Sequence, residues 1–360
     1  MKNFELHEIG KLVRSLRKQR GLTQADLAEH VNIDVATLSK IENGHAMPRK
    51  NTLANLLQKL RFDAGDVTPL FLSEKEARFE KLKEKLPKIR DPRNPEHTQK
   101  MKEFIEEFEK DSELYEDEFN RQFVLTVQAS ILVNPANVAV TQTWGNSKLT
   151  KEESLKIKAT TSFSPEIIAD LDKAIEMYNQ AMQLTIPVFE IEKLDEYYLS
   201  GFEYSIIRNL ANAYYLRGKE DLSIDIYKQL EKGIDSNYRI KSNIGGSYLS
   251  IIANLCNLLI NADRYEEALE YASKGFETCV ELQLAMLPLL AQFKGIAMLE
   301  IVNKEKGGYD VPEAEEAKII LRDAYYGARL ARRISVQQIV EALFATNFKT
   351  KVDGTPLEDI

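Results

Sequence analysis

TQADLAEHVNIDVATLSKIENG, residues 23–44, decides the reading of this chain. It divides into a short helix, a tight turn and a second helix. Thr23 is a good helix N-cap, and Asp26 three positions on completes an approximate capping box. Ala25, Leu27 and Ala28 are expected to be the buried side of the first helix. Val31-Asn32-Ile33 makes the turn, where asparagine tolerates backbone angles that most residues avoid. Asp34 caps the second helix, Leu38 and Ile41 face inward, and Gly44 ends it. Val35, Ala36, Thr37, Ser39 and Lys40 are left on the outer face. A helix that turns small and polar residues outward from its N-terminal half, braced by a shorter helix behind, has the form that enters a DNA major groove.

The flanks extend the same unit. Leu6 to Gln19 reads as a helix with Ile9, Leu12, Val13 and Leu16 on one face, ended by Gly21. Thr52 to Leu60 places Leu53, Leu56, Leu57 and Leu60 at helical spacing, and Asp66 to Leu72 supplies a fifth helix. The stretches GLTQADLA and IDVATLSKIENG, followed by Pro48, resemble the Xre/Cro type of helix-turn-helix domain over about residues 6–62. The resemblance implies a phosphate contact from Gln24 at a helix N-terminus and base readout by Val35, Ala36, Ser39 and Lys40. Thr37 and Asn43 join them as candidate DNA contacts. It also implies an internal ion pair between Arg17 and Glu42. The position after Gly44, often basic in that family, is His45.

Charge agrees with this placement. The net charge of −8 argues against nucleic acid for the chain as a whole, but residues 1–62 carry 11 Lys/Arg against 6 Asp/Glu, a balance of +5 that leaves −13 for the remainder. Only the N-terminal part has the sign to approach phosphates. At 360 residues and 44% hydrophobic content the chain suits two or more domains with a sizeable core. Cys256 and Cys279 lie in apolar helical stretches without CxxC spacing, and the four histidines form no ligand set, so no metal or cofactor is expected. No signal peptide is visible in MKNFELHEIGKLVRSLRKQ. The most apolar run, Leu282 to Ala291, is short for a bilayer and contains Gln283 and Pro288. A soluble cytoplasmic protein without a membrane partner is the expectation.

Ser73 to Ser112 differs in character. It is dense in Lys and Glu, holds Pro87, Pro92 and Pro95, and carries a thin apolar stripe of Phe79, Leu82 and Leu86. It reads as a charged linker with a modest contact role, broken at PRNP and resuming as a helix near Gln99. From Glu113 onward the period is helical. Asn209-Leu210-Ala211-Asn212-Ala213-Tyr214-Tyr215, followed by Gly218, Ser223 and Tyr227, aligns without gaps with Asn254 to Leu259, followed by Asp263, Ala268 and Ala272, 45 residues later. Each is a helix, a short turn and a second helix with a small residue at the close approach. Leu171 to Leu184 looks like the second helix of an earlier unit, and Lys318 to Leu330 like that of a later one. The pattern resembles tetratricopeptide repeats, with a spacing longer than the usual ~34 residues. The expected fold is therefore all-α. A helix-turn-helix domain spans 1–72, a linker 73–112, a tetratricopeptide-like α-solenoid for sensing and dimerisation 113–344, and a C-terminal tail 345–360.

In the resembled repeat the first helix of each pair lines the concave side. Both aligned first helices carry the same polar signature, Asn209 with Asn212 and Asn254 with Asn257, each pair on one helix face. A primary amide offers donor and acceptor together, which matches an extended peptide backbone. The same amides could instead bond to neighbouring helices and brace the stack. Arg208 and Tyr215 lie within a turn of them, as do Tyr204, Ser205 and Ser250, and could add a carboxylate clamp and side-chain pockets. A reader, a linker and such a body together resemble the cytoplasmic peptide-pheromone receptors of Gram-positive bacteria, the Rap–Rgg–NprR–PlcR–PrgX group. The resemblance implies a transcriptional regulator that binds a palindromic operator in double-stranded DNA as a homodimer, controlled by a short signalling peptide. The alternative is a regulator whose repeats grip a protein partner. No phosphate loop, nucleophile elbow or ligand-spaced carboxylates support an enzyme.

Overall fold

A computed structural model describes residues 2–62, 74–86, 95–144, 163–235, 245–282 and 284–357. The chain is all-α. Among the described residues the sole β feature is an isolated bridge between Thr350 and Pro356. The fifth helix expected over Asp66 to Leu72, and most of the PRNP break, lie outside the described residues. These residues fall into two compact units, one within Met1–Val138 and Phe163–Arg217, the other within Ala139–Ser162 and Gly218–Ile360.

The first unit opens with α1 (Lys2–Gln19), α2 (Gln24–His30), α3 (Val35–Glu42) and α4 (Lys50–Lys59). Each boundary has a local chemical cause. Thr23 and Asp26 form the full capping box, with both reciprocal hydrogen bonds present at 3.1 and 2.7 Å. Asp34 accepts from the Thr37 backbone N–H at 2.7 Å. At the far end of α3 the His45 N–H donates to the Lys40 carbonyl and Gly44 N–H to that of Ile41, a Schellman closure around Gly44 at φ 70°. Asn32 makes the corresponding left-handed turn after α2 at φ 54°. Val13, Leu16, Leu27, Leu38, Ile41, Leu56 and Leu60 are fully buried together. Ala25, expected inside, is exposed, because a seven-residue helix turns only one narrow face inward, and Leu27 and Ala28 fill it.

The crossing of α1 over the end of α3 depends on Gly10. A Cβ there would lie 2.3 Å from the Ile41 carbonyl oxygen and 2.8 Å from that of Glu42. Both are backbone atoms, so no rotamer change relieves the clash. Gly10→Ala is expected to destabilise the chain by about 1–3 kcal/mol, as overpacking does, despite alanine's better helix propensity. Urea unfolding measures this, and a mutant as stable as the parent would refute the crossing.

The rest of this unit is α5 (Glu74–Lys83), α6 (Pro95–Glu109), the short α7 (Ser112–Tyr115), α8 (Glu118–Trp144) as far as Val138, α9 (Pro165–Thr185) and α10 (Gly201–Leu216). The thin stripe of the charged segment is a core element. Phe79 and Leu82 are buried with Met101, Phe104, Phe108, Leu114, Val124 and Val127. Phe79 meets Phe108 and Phe123 edge-on, each at 5.7 Å. Apolar spacing was legible there, but the high Lys and Glu content of the flanking positions masked its depth. The helix after the proline break begins at Pro95, a residue suited to a first helical turn.

The second unit holds α11 (Glu220–Asp235), α12 (Gly245–Asn261), α13 (Tyr265–Leu282), α14 (Leu287–Lys306), α15 (Glu315–Leu330) and α16 (Ile334–Leu343), in which successive helices pack on one another. The two aligned repeats turn alike. Gly218 (φ 81°) and Asp263 (φ 58°) take left-handed angles at equivalent places. Ser223 and Ala268, the paired small residues, are both fully buried. In the later hairpin Ala317, Ala324 and Ala328 are buried along α15, as expected of a second helix. The apolar run that appeared to stop at Ala291 belongs to a longer helix. Glu118–Val140 and Leu284–Lys306 are both long and apolar enough to cross a membrane by length and composition alone. The second carries buried Gln292 and Glu300, and Glu300 accepts from the Tyr309 hydroxyl at 2.9 Å, which suits a core helix of a stacked fold.

Candidate nucleic-acid interface and amide-bearing helices

The outer face of α3 is open. Val35 is 44% exposed, and Ala36 and Lys40 are exposed beside half-buried Ser39. Two members of the candidate set are committed within the domain. The Thr37 hydroxyl donates to Asp34 at 2.6 Å, which completes the cap. The Asn43 amide donates to the Ser39 carbonyl at 2.9 Å, so Asn43 closes the helix while remaining exposed. Hydrogen bonds from Thr37 hold the Asp34 carboxyl below its usual range, and it stays ionised as a cap. The candidate set thus mixes residues that cap the helix with residues left open on its outer face. Past the helix, His45 and Arg49 are exposed on the same connection.

Gln24 sits at the first position of α2, but its amide points inward. Its Nε2 donates to Glu42 Oε2 at 2.8 Å. Glu42 is the centre of a buried cluster in which Arg17 donates Nε at 2.6 Å and Nη2 at 2.9 Å in a bidentate pair, while Arg17 Nη1 donates to the Leu22 carbonyl at 2.8 Å. Burial alone would raise the Glu42 carboxyl, yet Arg17 and Gln24 hold it below its usual value. The pairing implied by the family resemblance is present in this chain.

A second buried pair escaped the sequence reading. The Arg20 guanidinium binds the Glu203 carboxylate through both arms, one of them at 3.0 Å, and both side chains are almost wholly buried. Thr185 Oγ1 donates to Glu203 at 2.8 Å and in turn accepts from Gln122 Nε2 at 2.7 Å. Beside it, the Gln19 amide and the Tyr198 backbone exchange hydrogen bonds at 3.1 and 3.0 Å. The end of α1 is therefore fastened to the start of α10 within this unit. Ser200-x-x-Glu203 is legible in sequence as a capping box, and it is one. Nothing local marked its carboxylate as the partner of Arg20.

The four asparagines divide between the units. In the first, Asn212 on α10 donates to Asn137 on α8 at a long 3.4 Å, and Asn209 is half-buried. In the second, Asn254 on α12 donates to the Tyr227 hydroxyl of α11 at 3.1 Å, and Asn257 is half-buried. The bonded members are not equivalent in the alignment, since Asn212 pairs with Asn257 there. Arg208, Tyr215 and Ser250 are half-buried. Tyr204 is buried beside Glu203, its hydroxyl pushed up by burial, and offers no ligand contact. Among the described residues no group of His, Cys, Asp or Glu is arranged to hold a metal.

Residues 13–66 match the helix-turn-helix family, so a domain of that class occupies the N-terminus. Three solved structures align with nearly the whole chain. Bacillus thuringiensis PlcR, solved with the peptide PapR7 and DNA, is 16% identical, with 93% of this chain and 99% of that one covered at a TM-score of 0.47. ComR from S. thermophilus, solved with DNA and its signalling peptide ComS, is 15% identical, with 93% and 97% covered at 0.39. The SHP pheromone receptor Rgg2 of Streptococcus dysgalactiae is 13% identical, with 92% and 97% covered at 0.43. No curated protein matches the chain.

Proposed function

We propose that this chain is a cytoplasmic transcriptional regulator. It binds a palindromic operator as a homodimer, and a short signalling peptide held by the repeat helices sets its DNA affinity. DNA binding is assigned to residues 1–72, with Val35, Ala36, Ser39 and Lys40 reading bases and Gln24, Thr37 and Asn43 fixing the helix that presents them. The observation that carries this reading is the exposed outer face of α3 on a capped, tightly packed helix pair in the one basic part of an acidic chain. One such helix reads only a few base pairs, so useful specificity calls for two half-sites and hence two copies. Dimerisation is assigned to the repeats, and sedimentation as a monomer both free and on DNA would remove it.

Peptide recognition is assigned to Asn209, Asn212, Asn254 and Asn257, whose amides can pair with a backbone of any sequence, with Arg208 and Tyr215 beside them for a carboxylate and a side chain. The hydrogen bonds from Asn212 and Asn254 to neighbouring helices favour bracing as an added or competing role. Two substitutions separate the roles. Asn257→Ala should cost about 1–3 kcal/mol of peptide affinity with little change in melting, because it removes a donor and acceptor from the ligand. Asn212→Ala should lower both. Calorimetry against short peptides from culture medium, with melting of the same proteins, reads this out. Intact peptide affinity in both variants would move the sensing site elsewhere. Retention of a folded protein partner in place of any peptide would favour the second reading of the repeats.

A further inference from the structure

We infer that the first unit holds a second ligand site, for a small planar aromatic compound bearing one anionic group. A cavity of about 290 Å³ lies among α4, α5, α8 and the start of α10. That is near the lower end of the range for small-molecule sites. Its walls are aromatic, with Phe62, Phe79, Phe119, Phe123 and Phe202 all facing it. Phe123 and Phe202, both in this lining, stack with centroids 5.1 Å apart and planes 24° from parallel.

The polar lining is of mixed sign with a cationic excess. Arg61 and Lys83 contribute two positive charges and Glu80 one negative. Both cations lie against the wall rings. The Arg61 guanidinium is 4.9 Å from the Phe119 centroid, and the Lys83 ammonium is 5.2 Å from those of Phe79 and Phe123. Lys83 also pairs with Glu80 at 2.5 Å, and Arg61 lies 3.8 Å from Asp117 outside the lining. Ser200, Gly201 and Phe202 open α10 here, where the Ser200 and Glu203 side chains already cap the helix. Aromatic walls with a cationic rim select an aromatic ring with a carboxylate or sulfonate. Such an occupant touches the helix-turn-helix domain through α4 and the rest of the unit through α5, α8 and α10. It would therefore stabilise the junction between them.

The test is fluorescence titration of the full chain with anilinonaphthalene sulfonate, an aromatic anion. Phenylnaphthylamine is its uncharged counterpart. Saturable binding of one anion per chain is expected, with a rise in melting temperature that tracks occupancy. Ala54→Phe, which fills the cavity from α4, should weaken binding by about tenfold or more, and Lys83→Gln by a similar factor. The uncharged probe should bind about tenfold more weakly than the anion. Equal binding by parent, Ala54→Phe and Lys83→Gln, or no saturable binding at all, would overturn the site. Equal affinity for the two probes would overturn its anionic selectivity. Should Ala54→Phe fail to fold, Lys83→Gln, on a partly exposed position, decides alone. Peptide affinity enters none of these readings, so the outcome is independent of the function proposed above.

Discussion

Raising salt from roughly 50 to 200 mM is expected to cut operator affinity by about 10³–10⁵-fold, the loss set by release of counterions when 6–10 phosphates are neutralised. The motive is the uneven charge of the chain, +5 over residues 1–62 and −13 beyond. Each copy in a dimer would bring exposed Arg49 to the backbone, along with the positive ends of capped helices. The acidic remainder repels DNA elsewhere, which keeps the footprint confined. Fluorescence anisotropy with an operator duplex across that range gives the slope directly. A flat profile would contradict the assignment of DNA binding to residues 1–72.

Glu203→Ala is expected to destabilise the first unit by about 3–5 kcal/mol, the cost of leaving a buried guanidinium without its partner. Glu42→Ala should have a comparable effect through Arg17. The two differ in where the loss appears. Glu42 and Arg17 join α1 to α3 inside the helix-turn-helix domain, whereas Glu203 and Arg20 join α1 to α10. Glu42→Ala should therefore abolish DNA binding with the fold of the domain. Glu203→Ala should loosen the domain from the helices behind it. The pair Arg20→Met with Glu203→Leu, which removes both charges, should recover much of the loss, since buried pairs are often replaceable by apolar residues.

Acid should act on the same two sites. Burial alone would raise both carboxyls, but their arginine partners hold each below its ordinary value of 4.5. A depressed carboxyl stabilises the fold fully above its unfolded value and loses that contribution as pH falls through the folded one. Stability should therefore be level above about pH 5 and fall below about pH 4. Chemical denaturation across pH checks this. Equal dependence in the apolar double variant would show that Glu203 contributes nothing to it.

What was legible in the sequence was local. Caps, turns and helix faces in residues 23–44 are set by neighbours three or four positions apart, so Thr23, Asn32, Asp34 and Gly44 could each be placed by residue type. The 45-residue repeat likewise fixed the equivalent turns at Gly218 and Asp263. Gly10 left a sign that could have been read. A glycine inside an amphipathic helix is unfavourable unless something approaches closely, and here two carbonyls do. Arg20 and Glu203 left none, being 183 positions apart with each looking like an ordinary helix-end charge. The asparagine pattern was legible as a repeat. Which of the amides bond to a neighbouring helix depends on which helix lies opposite, and period alone does not fix that.

On the function proposed above, the outer face of α3 reads a DNA sequence. Selection from a random duplex pool by the full chain, at low salt, tests it most directly. The expected result is enrichment of one inverted repeat with half-sites about 34 Å apart or a multiple of that. Lys40→Ala should lose preference at defined bases within each half-site while keeping its melting temperature. Recovery of no common sequence by the folded parent chain, or an unchanged preference in Lys40→Ala, Ser39→Ala and Val35→Ala alike, would contradict it.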